Sequence, residues 1–417
     1  MEGDFIKINK ALLPLSWCYG LGVRFRNMLF DMGVLKSHAF SVPVISVGNI
    51  TVGGTGKTPH VEFLLNQLLS IGKVAVLSRG YKRKTKGFVL ADDNATVKTI
   101  GDEPMQIKRK FPKAIVAVDG DRVRGINRLL AQDPDIDVIL LDDAFQHRYV
   151  KPGINILLVD YHRLIIYDRM LPAGRMREPL NGKNRADIVI VTKCPKELKP
   201  MDYRVITKAM DLYPYQQLFF TTFDYAPLQP VFPEAQKANK ARAPYPTLQN
   251  LASYNVLLLT GIASPRQLKE DLEQFSTPNS QTSSLNSQPS TLISQPSSLI
   301  SQLSFPDHHR FRPKDVRRIN ETFEALPQPR CIITTEKDAT RLADAEGLSD
   351  EVKSSTFALP VKVSFKLEQE STFNENIIGY VRKNSRNSIL AKGKDDHKPH
   401  DSHRPGNGTR TISFRNN

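Results

Sequence analysis

The run Val47-Gly48-Asn49-Ile50-Thr51-Val52-Gly53-Gly54-Thr55-Gly56-Lys57-Thr58-Pro59 constrains the fold more than any other stretch of the chain. It joins a β-rich segment, residues 42–47, to a segment with apolar residues at helical spacing: Val61, Leu64, Leu65 and Leu68. Gly53, Gly54 and Gly56 let backbone N–H groups converge on phosphate oxygens without a Cβ in the way. Lys57 supplies a point charge to the β- and γ-phosphates, and Thr58 a hydroxyl to Mg²⁺. The helix beyond directs its N-terminal dipole at the same anions. Pro59 fits there, because first-turn N–H groups lack helical partners. The match to G-x-x-x-x-G-K-[ST] is imperfect, since Thr51 stands at the first glycine. A related loop class carries Lys before its Gly-Gly pair, where this chain has Val52, so a dimeric ATPase of that class is disfavoured. Thr51, Val52, Gly53, Gly54, Thr55, Gly56, Lys57 and Thr58 form the predicted ATP loop.

Short β-branched runs recur at 74–77, 115–118, 138–141, 154–159 and 188–191, separated by helical stretches. That pattern predicts an α/β fold: a P-loop NTPase-type parallel sheet with helices on both faces. Prolines and aromatics cluster at 213–246, and strand-like runs restart at 256–259 and 331–334, which predicts a second, smaller α/β unit. The expected organisation is an N-terminal helix region over 1–40, the P-loop unit over 41–245, the smaller unit over 246–381 and a basic tail over 382–417. Within the smaller unit, Ser-Gln recurs at 280, 287, 294 and 301 in a polar, proline-bearing segment. Pro289 and Pro296 argue against a coiled coil, so 276–304 reads as a low-complexity insertion.

The 417 residues carry a net charge of +15, which asks for an anionic partner. Nine bases against three acids lie in the tail, whose composition reads as disordered. Neither a basic-aromatic RNA-binding run nor zinc-finger spacing is present, so no nucleic-acid partner is expected. Three widely spaced cysteines exclude a disulfide framework. The N-terminus lacks signal-peptide features, and no run reaches 18 uncharged apolar residues. Trp17, Leu21, Phe25 and Met28, flanked by Lys10, Arg24, Arg26 and Lys36, suit an interfacial helix. An ordinary helix packed on the domain is the competing reading.

Candidate chemistry lies in four further places. Residues 138–143 read as a buried strand ending in Asp142 and Asp143, the arrangement that reaches a phosphate-bound Mg²⁺. Gly101-Asp102-Glu103-Pro104 sets two acids in a turn, and Asp307-His308-His309 follows the polar repeat. Asp102 and His308 together can form a base and its orienter for phosphoryl transfer to a hydroxyl. Arg175 and Arg177, in the Gly- and Pro-bounded stretch 172–179, suit bidentate phosphate recognition.

In chain order these motifs, with Leu77-Ser78-Arg79-Gly80-Tyr81 and Asp142-Asp143-Ala144-Phe145-Gln146-His147, resemble the tetraacyldisaccharide 4′-kinase family of Gram-negative bacteria. The resemblance spans about 300 residues, and that family's loop also lacks the first Walker glycine. It implies transfer of the ATP γ-phosphate to the 4′-hydroxyl of a lipid A disaccharide 1-phosphate, with Mg²⁺. It further implies a peripheral position on the cytoplasmic face of the inner membrane, with the N-terminal helix toward the lipid. Asp102 and His308 match the family's Asp–His pair, and Lys57 its loop lysine. Glu103, Asp142, Asp143, Gln146, Arg177 and Glu178 fall on its site motifs. Which of Asp102 and His308 takes the proton stays open. The alternatives are a P-loop kinase for another amphipathic phosphosugar and a nucleotide-switched binding protein.

Overall fold

The computed structural model describes residue 6 and residues 8–238, 245–262, 265–276 and 300–395. Its strands are β1 (Val44–Gly48), β2 (Val74–Ser78), β3 (Val89–Leu90), β4 (Ile115–Val118), β5 (Val138–Asp142), β6 (Ile154–Asp160) and β7 (Ile188–Thr192). They continue with β8 (Gln217–Tyr225), β9 (Gln229–Pro230), β10 (Asn255–Thr260), β11 (Ile300–Ser304), β12 (Arg330–Thr335), β13 (Thr356–Leu359) and β14 (Val361–Phe365). The helices up to the middle of the chain are α1 (Leu13–Asp31), α2 (Lys57–Leu68), α3 (Val97–Ile100), α4 (Asp102–Lys110), α5 (Arg122–Gln132) and α6 (Pro200–Met210). Beyond them come α7 (Pro233–Ala238), α8 (Pro265–Ser276), α9 (Pro313–Glu324), α10 (Glu336–Leu342), α11 (Asp350–Ser354) and α12 (Glu370–Asp395).

Two sheets form. The larger has nine strands in the order β14-β8-β7-β6-β1-β5-β2-β4-β3, and the smaller has five, β11-β10-β12-β13-β9. Both are parallel except at their edges, where β14, β3 and β9 run antiparallel to their neighbours. The strands β1, β2, β5 and β7 are buried along their whole length, as near-continuous Val/Ile/Leu runs require when helices cover both faces. Apolar clusters lie on the two faces of the large sheet, one with α2 and one with α5.

The division at residue 246 does not hold. Strand β9, at 229–230, belongs to the small sheet, whereas β14 returns to the large one and pairs with β8. Helix α12 follows it, burying Phe373, Ile377 and Val381 in the same core as α2. The chain therefore crosses between sheets twice. The crossings run side by side: only Pro360 separates β13 from β14, and its carbonyl accepts from the Ala226 N–H at 3.0 Å. Such long-range pairing leaves no local trace in composition.

Two further expectations are corrected at their edges. Residues 300–304, the end of the polar repeat, form β11 and pair in parallel with β10. Only Leu303 of that strand is buried, because an edge strand needs the backbone ladder and little apolar surface. Likewise α12 runs to Asp395, so residues 382–395 of the expected disordered tail are helical. The remainder of both segments, 277–299 and 396–417, lies outside the described residues. All three cysteines are unpaired, as expected.

Candidate active site

Strand β1 lies between β5 and β6, so the strand order reverses around it. In open α/β sheets ligands bind beyond the carboxyl ends of strands at such a point. There the chain leaves Gly48 for the glycine loop and enters α2 at Lys57. Gly56, at the N-cap, has φ 82°, and a Cβ on it would lie 2.6 Å from the Phe223 ring. Glycine is needed on both counts. Side chains close the loop: Asn49 Nδ2 donates to Thr55 Oγ1 at 2.9 Å, and Thr192 Oγ1 donates to the Thr55 carbonyl at 2.9 Å. The Lys193 ammonium donates to the Gly54 carbonyl and pairs with Asp160 at 2.6 Å.

The predicted acid pair stands at the end of β5. Asp142 is buried; Ser78 Oγ donates to its Oδ2 at 3.3 Å, and its Oδ1 has no hydrogen-bond partner. Burial first, then the nearby Glu103 and Asp143 carboxylates, push its carboxyl up to about 7. A buried, unpartnered, proton-hungry carboxylate oxygen beside a phosphate loop is what a hard divalent cation would relieve. Among the described residues no cluster of three His, Cys, Asp or Glu could hold an ion unaided. Asp142 Oδ1, unpartnered beside the loop, fits a cation that takes further ligands from phosphate oxygens, as Mg²⁺ does. Asp143 differs. Its burial opposes ionisation, but Lys57, 3.6 Å away, and Arg177, 3.2 Å away, outweigh it and lower its pKa.

The stretch 172–179 lines the loop by main-chain bonds. The Val52 N–H donates to the Arg175 carbonyl at 2.8 Å, and the Arg177 N–H to the Ile50 carbonyl at 2.7 Å. Arg177 also donates from its guanidinium to Asn49 Oδ1, and Gln146 Nε2 to the Asn49 carbonyl. Glu178 is fully buried and pairs with Arg185 at 2.5 Å, so it braces this wall and does not face the opening. Helix α1 rests on the same wall. Ser16 Oγ donates to the Met170 carbonyl at 3.0 Å, Tyr19 Oη to the Arg177 carbonyl at 3.1 Å, and Arg26 to the Gln146 carbonyl at 3.1 Å. Its other face is bare: Trp17 is 84% exposed, Leu21 70% and Phe25 57%. The helix thus packs on the domain with one edge and leaves the predicted apolar stripe open.

Asp102 and His308, 206 residues apart, meet across the two sheet units with Asp102 Oδ2 2.7 Å from His308 Nδ1. Asp102 opens α4 beside the large sheet, whereas His308 follows β11 of the small one. Burial disfavours the Asp102 carboxylate, but the His308 hydrogen bond, Lys337 and Arg341 together hold its pKa down at about 2. His308 sits at φ 58°, a left-handed conformation rare outside glycine, and the Tyr81 ring lies edge-on to it at 5.0 Å. Glu103 pairs with Lys337 at 3.3 Å.

Four charged residues escaped the sequence reading. Arg122 is buried beneath Asp142 and donates to the Asp142 and Asp119 carbonyls at 3.3 and 2.6 Å. Lys193, Lys337 and Arg341 complete the set. Three lie just past a strand end, in Asp119-Gly120-Asp121-Arg122, Thr192-Lys193 and Thr335-Glu336-Lys337-Asp338, and Arg341 lies one helical turn beyond Lys337. Position after a strand was the signal that could have found them.

A profile of the tetraacyldisaccharide-1-P 4′-kinase family matches residues 8–288 and 287–382. A tetraacyldisaccharide 4′-kinase of Phocaeicola vulgatus is 53% identical over 392 residues, spanning 93% of this chain and 99% of the relative. One of Bacteroides thetaiotaomicron is 50% identical over 400 residues, spanning 95% and 100%. A crystal structure of the "apo" form of LpxK from Aquifex aeolicus in complex with ATP is similar with a TM-score of 0.63 at 28% identity, covering 89% of this chain and 98% of that one.

Proposed function

The chain belongs to the tetraacyldisaccharide-1-P 4′-kinase family, and from that premise we propose how its residues divide the work. Its activity is transfer of the γ-phosphate of ATP to the 4′-hydroxyl of tetraacyldisaccharide 1-phosphate, giving lipid IVA in lipid A biosynthesis. The observation that carries the reading is the Asp102–His308 pair, held at 2.7 Å between the two units. A nucleotide switch needs no such base.

ATP occupies the glycine loop from Thr51 to Thr58, its phosphates facing the α2 N-terminus. Thr58 and Asp142 are the residues that would hold Mg²⁺, which supplies charge neutralisation to the β- and γ-phosphates when bound. Lys57 neutralises charge that develops during transfer, and Asp143 holds Lys57 in place. Arg177 and Gln146 fix the loop through Asn49, and Glu178 braces Arg185 behind them. Asp102 takes the 4′-hydroxyl proton as that oxygen bonds to the γ-phosphorus. The bond from γ-phosphorus to the bridging oxygen breaks, and ADP leaves. His308 holds Asp102 in the orientation this requires.

Among the described residues no helix is long and apolar enough to cross a membrane. The bare face of α1, with exposed Lys10 and Arg24 beside it, supports a peripheral seat on the cytoplasmic leaflet of the inner membrane, where the lipid acceptor lies. Replacing Trp17→Ser and Phe25→Ser together should weaken co-sedimentation with anionic vesicles about tenfold while a short-chain soluble acceptor turns over normally. Unchanged vesicle binding would remove α1 as the contact.

The decisive assay mixes purified protein, ATP, Mg²⁺ and the disaccharide 1-phosphate, and reads product mass. The acceptor gains one phosphate. No such gain sinks the assignment.

A further inference from the structure

Lys337, on the first turn of α10, has no part in the roles above, yet it sits inside the acid–base pair. Its Nζ lies 3.1 Å from His308 Nε2, 3.3 Å from Glu103 Oε1 and 3.5 Å from Asp307 Oδ1. An ammonium has three donors and no acceptor. Toward Lys337, therefore, Nε2 must present its lone pair. The single proton of a neutral imidazole is then on Nδ1, facing Asp102 Oδ2. With both ring nitrogens engaged, His308 has no lone pair left for the acceptor hydroxyl. The oxygen that remains is Asp102 Oδ1, since His308 and Arg341 both meet Oδ2.

The geometry points to Lys337 as a positioning residue of the transfer: by capping His308 Nε2 it fixes the tautomer that donates to Asp102, and so leaves Asp102 as the proton acceptor. The inference rests on the kinase reading above. It also explains why α10 carries a lysine into a crowded place. The lysine is itself held charged, because Glu103, Asp102 and Asp307 outweigh its burial and the nearby Arg341 and raise its pKa. Around Asp102 the charged groups come from three elements. His308 and Asp307 lie on the loop after β11, Lys337 and Arg341 on α10, and Glu103 on α4 itself. Removing the Lys337 charge must therefore raise the Asp102 pKa, with His308 and Arg341 left to hold it down.

Two measurements test this. In the wild-type protein, ¹⁵N-edited imidazole spectra, assigned by loss of a signal in His308→Gln, should show the neutral His308 ring carrying its proton on Nδ1. A neutral ring with its proton on Nε2 overturns the proposal without any variant having to fold. The second is kcat and the ATP KM, with the His308 spectra repeated, in Lys337→Met and Lys337→Arg. The methionine variant should lose about tenfold or more in kcat, with ATP KM unchanged. Its His308 spectra should show the proton shared between Nδ1 and Nε2, and arginine should recover part of both. An unmoved tautomer in Lys337→Met, whatever the turnover, reduces the lysine to a fold contact and overturns the proposal. The spectra need no acceptor, so they judge Lys337 even if the mass assay finds no transfer. Failure of that assay with the predicted spectra counts against the kinase reading alone.

Discussion

Around the phosphate loop, main-chain bonds from Val52 N–H to the Arg175 carbonyl and from Arg177 N–H to the Ile50 carbonyl join side-chain bonds from Asn49, Thr192 and Lys193, all within the large sheet unit. At the acceptor end, each of the contacts between α4 and the small unit passes through a side chain. Asp102 meets His308 and Arg341, Glu103 meets Lys337, Arg109 meets Asp344, and Lys110 meets Glu336. Main-chain ladders are fixed once the fold forms, whereas long side chains across a boundary hold only while both sides are docked. The nucleotide half of the cleft thus stands by itself. The half that pairs Asp102 with His308 is assembled.

The largest effect expected is kinetic. Asp102→Ala and His308→Ala should each lower kcat by about 10²–10⁴ with ATP affinity little changed. A parallel loss of ATP binding in titration calorimetry would break the distinction between the halves. Next comes Gly56→Ala, which meets both the left-handed φ and the Phe223 ring. We expect a cost of about 2–3 kcal/mol in denaturant unfolding together with lost ATP binding. A neutral result would mean that the loop is not rigid.

Acid titration sharpens the comparison further. Asp102 is depressed from 3.8 to about 2, so it contributes stability that is fully present above its unfolded pKa. That stability is lost as pH falls through the window from 3.8 toward 2. The amount is about 2 kcal/mol, and most of it depends on groups from the small unit. Melting temperatures of Asp102→Asn should fall less steeply over that window than those of the wild type; identical slopes would refute the linkage. The smallest effect belongs to Lys110, which bridges the buried Glu62 and Glu336 at 2.6 Å each. Lys110→Met should cost about 1 kcal/mol and speed amide exchange in α10 but not in α2. Equal acceleration in both would show one cooperative unit.

The legible part of this molecule was local. The loop from Thr51 to Thr58, the strand ending in Asp142, and the pairing of Asp102 with His308 were all read from short motifs, the last with the help of the family resemblance. What stayed hidden was non-local. Nothing in residues 361–395 announces that β14 and α12 return to the large unit, because that choice is made by pairing with β8, more than a hundred residues earlier. Lys337 and Arg341 were passed over for a related reason. A short charged helix reads as a solvated face until the opposing α4 is in view. The polar composition of Ile300–Ser304 hid a strand because an edge position asks so little of its side chains.

That edge strand has one more consequence. Ser276 and Ile300, the described ends of the heptapeptide segment, lie at the end of α8 and at the start of β11, whereas His308 lies just past the finish of β11. Five residues of parallel strand, about 16 Å, stand between where the repeat joins and the approach to His308. The place of His308 relative to Asp102 is therefore set by the ladder between β11 and β10 and not by the length of chain that leads into β11. That ladder insulates the Asp102–His308 contact from the connection at the other end of the strand.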